Sequence, residues 1–140
     1  MTVVNPTNEA IALDNFHIPA LLKFMSSKRS IIEITKSQAP LPIGNCYWNA
    51  DRTAKDLGGT IQLGWLITIW PGSHITAMHH AVWRSPDNIL IDVTSGYTPW
   101  ETSAPSTFLP DDSIAVDLKT LPIIPNRLFP ISNHQATKDF

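Results

Sequence analysis

Four side chains in this sequence have the chemistry of a nucleophile, a base and a carboxylate that orients the base. Cys46 is the only cysteine, His79 and His80 lie in the run A-M-H-H-A-V-W, and Asp92 lies in L-I-D-V-T. A cysteine nucleophile needs a base to accept its proton, and the base needs a third group to hold it in place. These residue types therefore predict a Cys-His-Asp triad.

Cys46 is predicted to open a helix. Asn45 is a good N-cap, the run from Cys46 to Leu57 suits a helix, and Gly58 and Gly59 provide its end. Unpaired N–H groups and the helix dipole favour a thiolate at this position and lower its pKa, and the same N–H groups can hold an oxyanion. The alternative is a small apolar core residue, since free cysteines are often buried.

Asp92 is an acid inside an apolar strand, where a carboxylate is costly to bury without a partner. A histidine on the preceding strand is the natural partner, and the turn length decides which one. A three-residue turn after Ser85 puts His80 on the face of Asp92, whereas a two-residue turn puts His79 there. We take His80 as the base and His79 as the alternate. An exposed, turn-proximal Asp92 is the competing interpretation.

Composition excludes several classes of function. The net charge of −2 and the absence of a basic cluster argue against nucleic acid and anionic membranes as partners. No apolar run reaches the length of a membrane helix, and the N-terminus lacks the features of a signal peptide. With a single cysteine, these features favour a cytoplasmic protein. Adjacent strand histidines point to opposite faces, so we predict no metal site and no cofactor.

The order of predicted elements indicates an α+β fold. A helix follows Asp14, a short strand covers S-I-I-E-I-T, and S-Q-A-P-L-P-I-G reads as a loop. After the Cys46 helix come three strands in an antiparallel meander, T-I-Q-L-G-W-L-I-T-I-W, I-T-A-M-H-H-A-V-W-R and I-L-I-D-V-T, and then a long loop and a fourth strand, S-I-A-V-D-L. We predict one domain over residues 1–120 and an extended, proline-rich tail over 121–140.

A cysteine opening a helix, followed by a histidine on one strand and a polar residue on the next, resembles the papain-like thiol hydrolases. The same chain order resembles the NlpC/P60 cell-wall peptidases and amidases and the papain-like deamidases. The resemblance covers Asn45 to about Thr94. The run from G-G-T-I-Q-L-G-W to L-I-D-V-T also resembles a stretch in a group of uncharacterised bacterial and phage proteins, to which no activity attaches.

The resemblance implies helices packed on an antiparallel sheet of about four strands. It also implies Cys46 as nucleophile, His80 as base, Asp92 as orienter and an oxyanion hole that includes the Cys46 N–H. Asn45 is a candidate substrate-binding residue beside the thiol. Trp100, in the long loop after Asp92, is a candidate wall for the substrate, since long loops often carry function.

The expected function is that of a hydrolase or acyl-transfer enzyme acting on an amide of a peptide or protein. The chain departs from the papain signature, because Gly-Asn-Cys-Tyr-Trp stands where Gly-Ser-Cys-Trp is usual, and it lacks the Asp-Cys pair of NlpC/P60 enzymes. A non-catalytic binding or inhibitor protein on a papain-like scaffold is the alternative. A structural dimer through the apolar sheet face is a third possibility, and the oligomeric state is open.

Overall fold

The fold is dominated by β-strands. The computed structural model describes residues 9–42, 44–94, 106–120 and 123–131, and strands make up 44% of these residues. The elements in chain order are β1 (Glu9–Ala10), α1 (Ile18–Phe24), β2 (Ile32–Leu41), α2 (Cys46–Leu57), β3 (Thr60–Trp70), β4 (His74–Arg84), β5 (Leu90–Thr94), β6 (Ser106–Pro110) and β7 (Arg127–Pro130).

A long hairpin of β3 and β4 organises the sheet. The two strands are 11 residues each and pair along their whole length. β4 then pairs antiparallel with β5, which confirms the predicted meander. The turn between β4 and β5 has three residues, because the Ser85 N–H donates to the Ile89 carbonyl at 2.9 Å and Asn88 takes the left-handed conformation at φ 65°.

Five strands close into a barrel. Their order is β3-β6-β2-β5-β4, and the β3–β4 pairing closes the ring; β1 extends the sheet beside β3, and β7 extends it beside β4. All pairs are antiparallel except β2 with β5. The predicted architecture, a papain-like set of helices on a sheet of about four strands, is therefore wrong: the chain is mostly β, with two described helices and a closed five-stranded barrel carrying extra strands.

Two misread segments account for this error. β2 continues to Leu41 and includes Pro40, although the segment from Ser37 to Gly44 reads as a loop because it contains Pro40 and Pro42. β6 lies in the stretch after Thr94 that also reads as a loop. Residues 113–118, predicted as the fourth strand, contain bends and no strand. β2 and β6 lie next to each other and bridge β3 to β5. An open meander becomes a closed ring once they are inserted, and closure removes exposed strand edges.

Apolar residues from all five barrel strands fill the ring. One cluster joins Val82 and Phe108 to partners on the other strands, namely Ile32, Ile34, Leu66 and Leu90. Helix α2 packs on the outer face, where Ala50 meets Ala81 and Val93. A third and larger cluster covers the far half of the β3–β4 hairpin with α1, including Leu21 and Met25. The hairpin residues of the α1 and α2 clusters are all odd-numbered and share one face, so the two helices cover different halves of that face, while the other face lines the barrel interior.

The C-terminal segment predicted as an extended tail over 121–140 contains β7. This strand pairs antiparallel with β4 from His74 to Ala77. No helix among the described residues is long and apolar enough to cross a membrane.

Candidate functional site

Helix α2 begins at Cys46, as the sequence predicts, and ends at Leu57 before Gly58, which has φ 86°. Asn45 occupies the N-cap position, but its side chain makes no capping hydrogen bond. The predicted start of the helix is therefore right, but the predicted side-chain cap by Asn45 is wrong. The first N–H groups of any helix lack intrahelical acceptors, so this end of α2 offers donors beside the thiol.

A gap in the strand pairing of β4 explains how Cys46, on the outer helix, contacts His80, which faces the barrel interior. On the edge opposite β3, β4 pairs with β7 over residues 74–77 and with β5 over residues 83–84. The N-terminus of α2 lies against the stretch between these ladders. The Ala81 backbone lies close enough to the Cys46 sulfur to lower the pKa of the thiol, and the Tyr47 hydroxyl is 2.7 Å from His79 Nδ1.

The structure brings Cys46, His80 and Asp92 together. The register of β4 and β5 pairs Trp83 with Ile91, so His80 and Asp92 share a face as diagonal neighbours, which confirms the register with the three-residue turn. His80 Nε2 donates to Asp92 Oδ1 at 3.0 Å. The Cys46 thiol lies close enough to the His80 side chain for each to shift the other's pKa. Because Nε2 is engaged by Asp92, Nδ1 is the ring nitrogen that remains for the sulfur.

Charges in this chain of contacts shift the pKa values in opposite directions. Burial alone raises the pKa of the Cys46 thiol, but the hydrogen bond and charge of His80 and the Ala81 backbone outweigh it, so the pKa is lower than usual. Burial alone lowers the pKa of His80, but the Asp92 charge and hydrogen bond, with help from Cys46, raise it to about 9. Both shifts favour the thiolate–imidazolium form of the pair over the thiol and neutral imidazole.

Asp92 is fully buried and its carboxylate is saturated with donors. Oδ1 accepts from His80 and from the Thr94 N–H at 3.2 Å, and Oδ2 accepts from Lys36 Nζ at 2.8 Å and from Ser106 at 3.4 Å. Burial alone raises the pKa of this carboxyl, but the charges and hydrogen bonds of His80 and then of Lys36 lower it to about 2. The exposed interpretation of Asp92 is therefore wrong.

His79, the alternate base, lies on the other face of β4. Its Nδ1 is 2.7 Å from the Tyr47 hydroxyl, its ring meets the edge of Trp65, and its Nε2 has no partner among the described residues. Burial lowers the pKa of His79, and His80 lowers it further against the opposing charge of Asp111. Consecutive residues of α2 thus contact consecutive residues of β4: Cys46 meets His80 and Tyr47 meets His79.

Sequence reasoning missed two residues of this site, Lys36 and Asn49. Ile32, Ile34 and Lys36 are spaced two residues apart, so in a strand they lie on the same face. Extending the predicted strand by one residue beyond Thr35 would have placed this lysine on an apolar, interior face. Asn49 is buried one turn after Cys46, and its Nδ2 donates to the Pro42 carbonyl at 2.8 Å and to Thr94 Oγ1 at 3.1 Å. It ties the start of α2 to the end of β5.

The two predicted substrate-binding residues, Asn45 and Trp100, are not part of this network of contacts in the described structure. Asn45 is exposed next to the thiol, and Trp100 lies outside the described residues. Within the described ranges, no group of three or more metal-ligating side chains converges.

Comparisons with protein-family models, curated proteins and solved structures find no match. The class of protein is thus defined by its own geometry: a closed five-stranded β-barrel with an outer helix, carrying a Cys-His-Asp chain of contacts at the helix N-terminus.

Proposed function

We propose that the protein is a cysteine-dependent hydrolase or acyl-transfer enzyme that acts on an amide bond. The observation that carries this proposal is the convergence of Cys46, His80 and Asp92: His80 Nε2 is hydrogen-bonded to Asp92 Oδ1 at 3.0 Å, and the Cys46 thiol lies close enough to the His80 ring for each to shift the other's pKa. Cys46 is the nucleophile, His80 exchanges the proton, and Asp92 holds the imidazole in the orientation and tautomer that the reaction needs.

The proposed reaction has two halves. The Cys46 sulfur attacks the amide carbonyl carbon and forms a C–S bond, and the carbonyl oxygen becomes an oxyanion. The C–N bond then breaks as His80 gives its proton to the leaving amine, which leaves a thioester. A water molecule, or an amine in acyl transfer, then attacks the thioester carbon while His80 takes its proton. The C–S bond breaks, the carboxylic acid or new amide is released, and the Cys46 thiolate and the His80 imidazolium are restored. A pKa of about 9 keeps His80 protonated for the first half at neutral pH.

Helix α2 supports the oxyanion in this scheme. Its 12 residues begin at the nucleophile, so the N–H groups of its first turn and the positive end of its dipole lie beside the reacting carbon. Preorganised donors at such a position typically stabilise the transition state by about 3 kcal/mol. The substrate class that fits is an amide of a peptide or protein, since its carbonyl develops this negative charge.

Alkylation with iodoacetamide across pH tests the proposal. The chain has one cysteine, so all labelling reports on Cys46. We expect labelling well below pH 8, and a His80→Ala variant should lose this reactivity, with its midpoint rising towards an ordinary thiol pKa of about 8.5. Mass spectrometry measures the labelled fraction over time.

Two variants control the alkylation experiment. Cys46→Ala gives the unlabelled baseline, and His17→Ala removes a histidine at the start of α1 and should leave the profile unchanged. A thiol that stays unlabelled until the protein unfolds would contradict the proposal and favour the binding or inhibitor role instead.

A further inference from the structure

We infer that Lys36 is a positioning residue of the Cys46–His80 pair, acting through Asp92. This inference rests on the proposed function, and it assigns to β2 a part of the site. Lys36 Nζ lies 2.8 Å from Asp92 Oδ2, and it also donates to the Thr94 carbonyl at 3.2 Å. The side chain is only 8% exposed, and that of Asp92 is 0% exposed.

The backbone fixes this ion pair. β2 and β5 run parallel, and Lys36 and Asp92 are direct partners in their register. Side chains opposed in this way share a face. Lys36 therefore reaches Asp92 from the barrel interior, and its ammonium binds Oδ2 while His80 binds Oδ1. With Lys36 holding one oxygen, the other stays directed at the imidazole.

The positive charge of Lys36 also balances the net charge of the buried cluster. Lys36 and Asp92 sum to zero, and the Cys46–His80 couple is neutral both as thiol and imidazole and as thiolate and imidazolium. Proton transfer within the couple therefore leaves the buried cluster neutral. Without Lys36 the cluster carries one uncompensated negative charge, which is costly in a low-dielectric interior.

The sign of the effect on titration follows from Coulomb's law. A buried cation favours the deprotonated form of each neighbour, so removing it raises the pKa of Cys46 and of His80 together. The titratable groups that lie in or next to the cluster of Cys46, His80, Asp92 and Lys36 come from four elements, and one more lies just after β6. They are Cys46 and Tyr47 of α2, His79 and His80 of β4, Asp92 of β5, Lys36 of β2 and, acting on His79, Asp111.

Charge-neutral variants of Lys36 test the inference. We expect Lys36→Met and Lys36→Gln to move the alkylation midpoint of Cys46 upward by about one pH unit, and the NMR titration of the His80 ring to move the same way. Lys36→Arg, which keeps the charge, should retain the wild-type midpoint. Circular dichroism establishes that each variant is folded before it is titrated.

A surface lysine supplies the matched control. Lys55→Met removes the same charge from an exposed pair with Asp51 on α2, and its midpoint should equal that of the wild type. A folded Lys36→Met or Lys36→Gln variant with a wild-type midpoint overturns the inference, as does a folded Lys36→Arg variant whose midpoint moves by a full unit. Failure of all three Lys36 variants to fold also overturns it, because Lys36 then acts in folding alone.

The proposed function and this inference fail in different ways. A wild-type thiol that is unreactive below pH 8 defeats the proposed function. The NMR titration of His80 does not need a reactive thiol. If the titration midpoint of the His80 ring in folded Lys36→Met equals that of the wild type, the inference about Lys36 is wrong whatever the outcome for the proposed function.

Discussion

At the scale of single residues, the buried carboxylate of Asp92 connects the two halves of the site. Its four contacts come from a histidine, a lysine, a backbone N–H and a hydroxyl. A buried ion pair stabilises a protein only when its other hydrogen-bonding groups also have partners; here Asp92 accepts from four donors and Lys36 donates to two acceptors. The same contacts that make Asp92 tolerable inside the barrel orient His80 towards Cys46.

Asp92 gives a prediction for acid unfolding. Its pKa is lowered from 3.8 to about 2, so its contribution to the free energy of unfolding is present above about pH 4 and is lost as the pH falls through about 2. We expect the stability gap between the wild type and Asp92→Asn to shrink by about 2 kcal/mol between pH 5 and pH 2. Urea unfolding at each pH measures the gap.

Asp56→Asn is the control for acid unfolding. Asp56 is exposed and pairs with Arg52 on the helix surface, where an ion pair contributes at most about 1 kcal/mol. The difference in the free energy of unfolding between Asp56→Asn and the wild type should stay within that limit at every pH measured. A gap for Asp92→Asn that stays constant down to pH 2 contradicts the account of the buried carboxylate.

At the scale of elements, the N-terminus of α2 and the middle of β4 are placed by paired contacts. Tyr47 meets His79 on one face of β4 while Cys46 meets His80, whose ring faces the other way. Burial raises the pKa of Tyr47 to about 12, and the Cys46 charge adds to the shift, so Tyr47 remains a neutral hydroxyl. His79, predicted as the alternate base, thus anchors the helix in this structure.

The barrel closes where β3 passes very near β6, and Gly64 allows this approach. A Cβ at Gly64 would overlap the Leu109 carbonyl oxygen and lie 2.5 Å from Phe108 Cζ. We expect Gly64→Ala to lower the free energy of unfolding by about 2 to 3 kcal/mol, since overpacking a filled interior forces neighbours to shift. Chemical denaturation measures the change.

Gly72→Ala is the matched control, because its Cβ meets nothing within 4 Å and its cost comes only from a backbone φ of 74°. That cost is about 1 kcal/mol. Equal destabilisation by the two substitutions would show that strand approach at Gly64 does not limit the barrel.

The sequence predicts the local elements around the site well. The helix at Cys46 and the strands of His80 and Asp92 follow from periodicity, capping and turn residues, and their order is visible in the chain. The sequence permits two lengths for the turn after Ser85, and only the three-residue turn brings His80 to Asp92. Asn88, which tolerates the left-handed conformation, is the residue that favours the longer turn.

At the scale of the whole molecule, barrel closure is the feature that sequence patterns did not reveal. β2 pairs with β5 and β6, which are distant in the chain, and no local pattern specifies such pairings. Prolines at positions 40 and 42 favoured a loop where β2 ends. Because the predicted strand stops at Thr35, Lys36 falls outside the predicted sheet and is not recognised as part of the site.

The closed barrel gives the site its physical character. One end of the interior holds Lys36, Asp92 and His80 in place of aliphatic side chains, while Val82 and Phe108 fill the rest. Water is largely kept from these charges, so their mutual interactions are stronger than at a surface. The helix adds the thiol from outside, at the gap between β5 and β7 on the edge of β4.

The state of the Cys46 thiol at neutral pH is the central claim, and ultraviolet absorbance of the thiolate measures it directly. The spectrum of the Cys46→Ala variant is subtracted at each pH, and the single cysteine makes the difference unambiguous. We predict that the thiolate signal forms well below the ordinary thiol pKa of about 8.5. A signal that forms only near or above that value would contradict the thiolate–imidazolium pair and the function built on it.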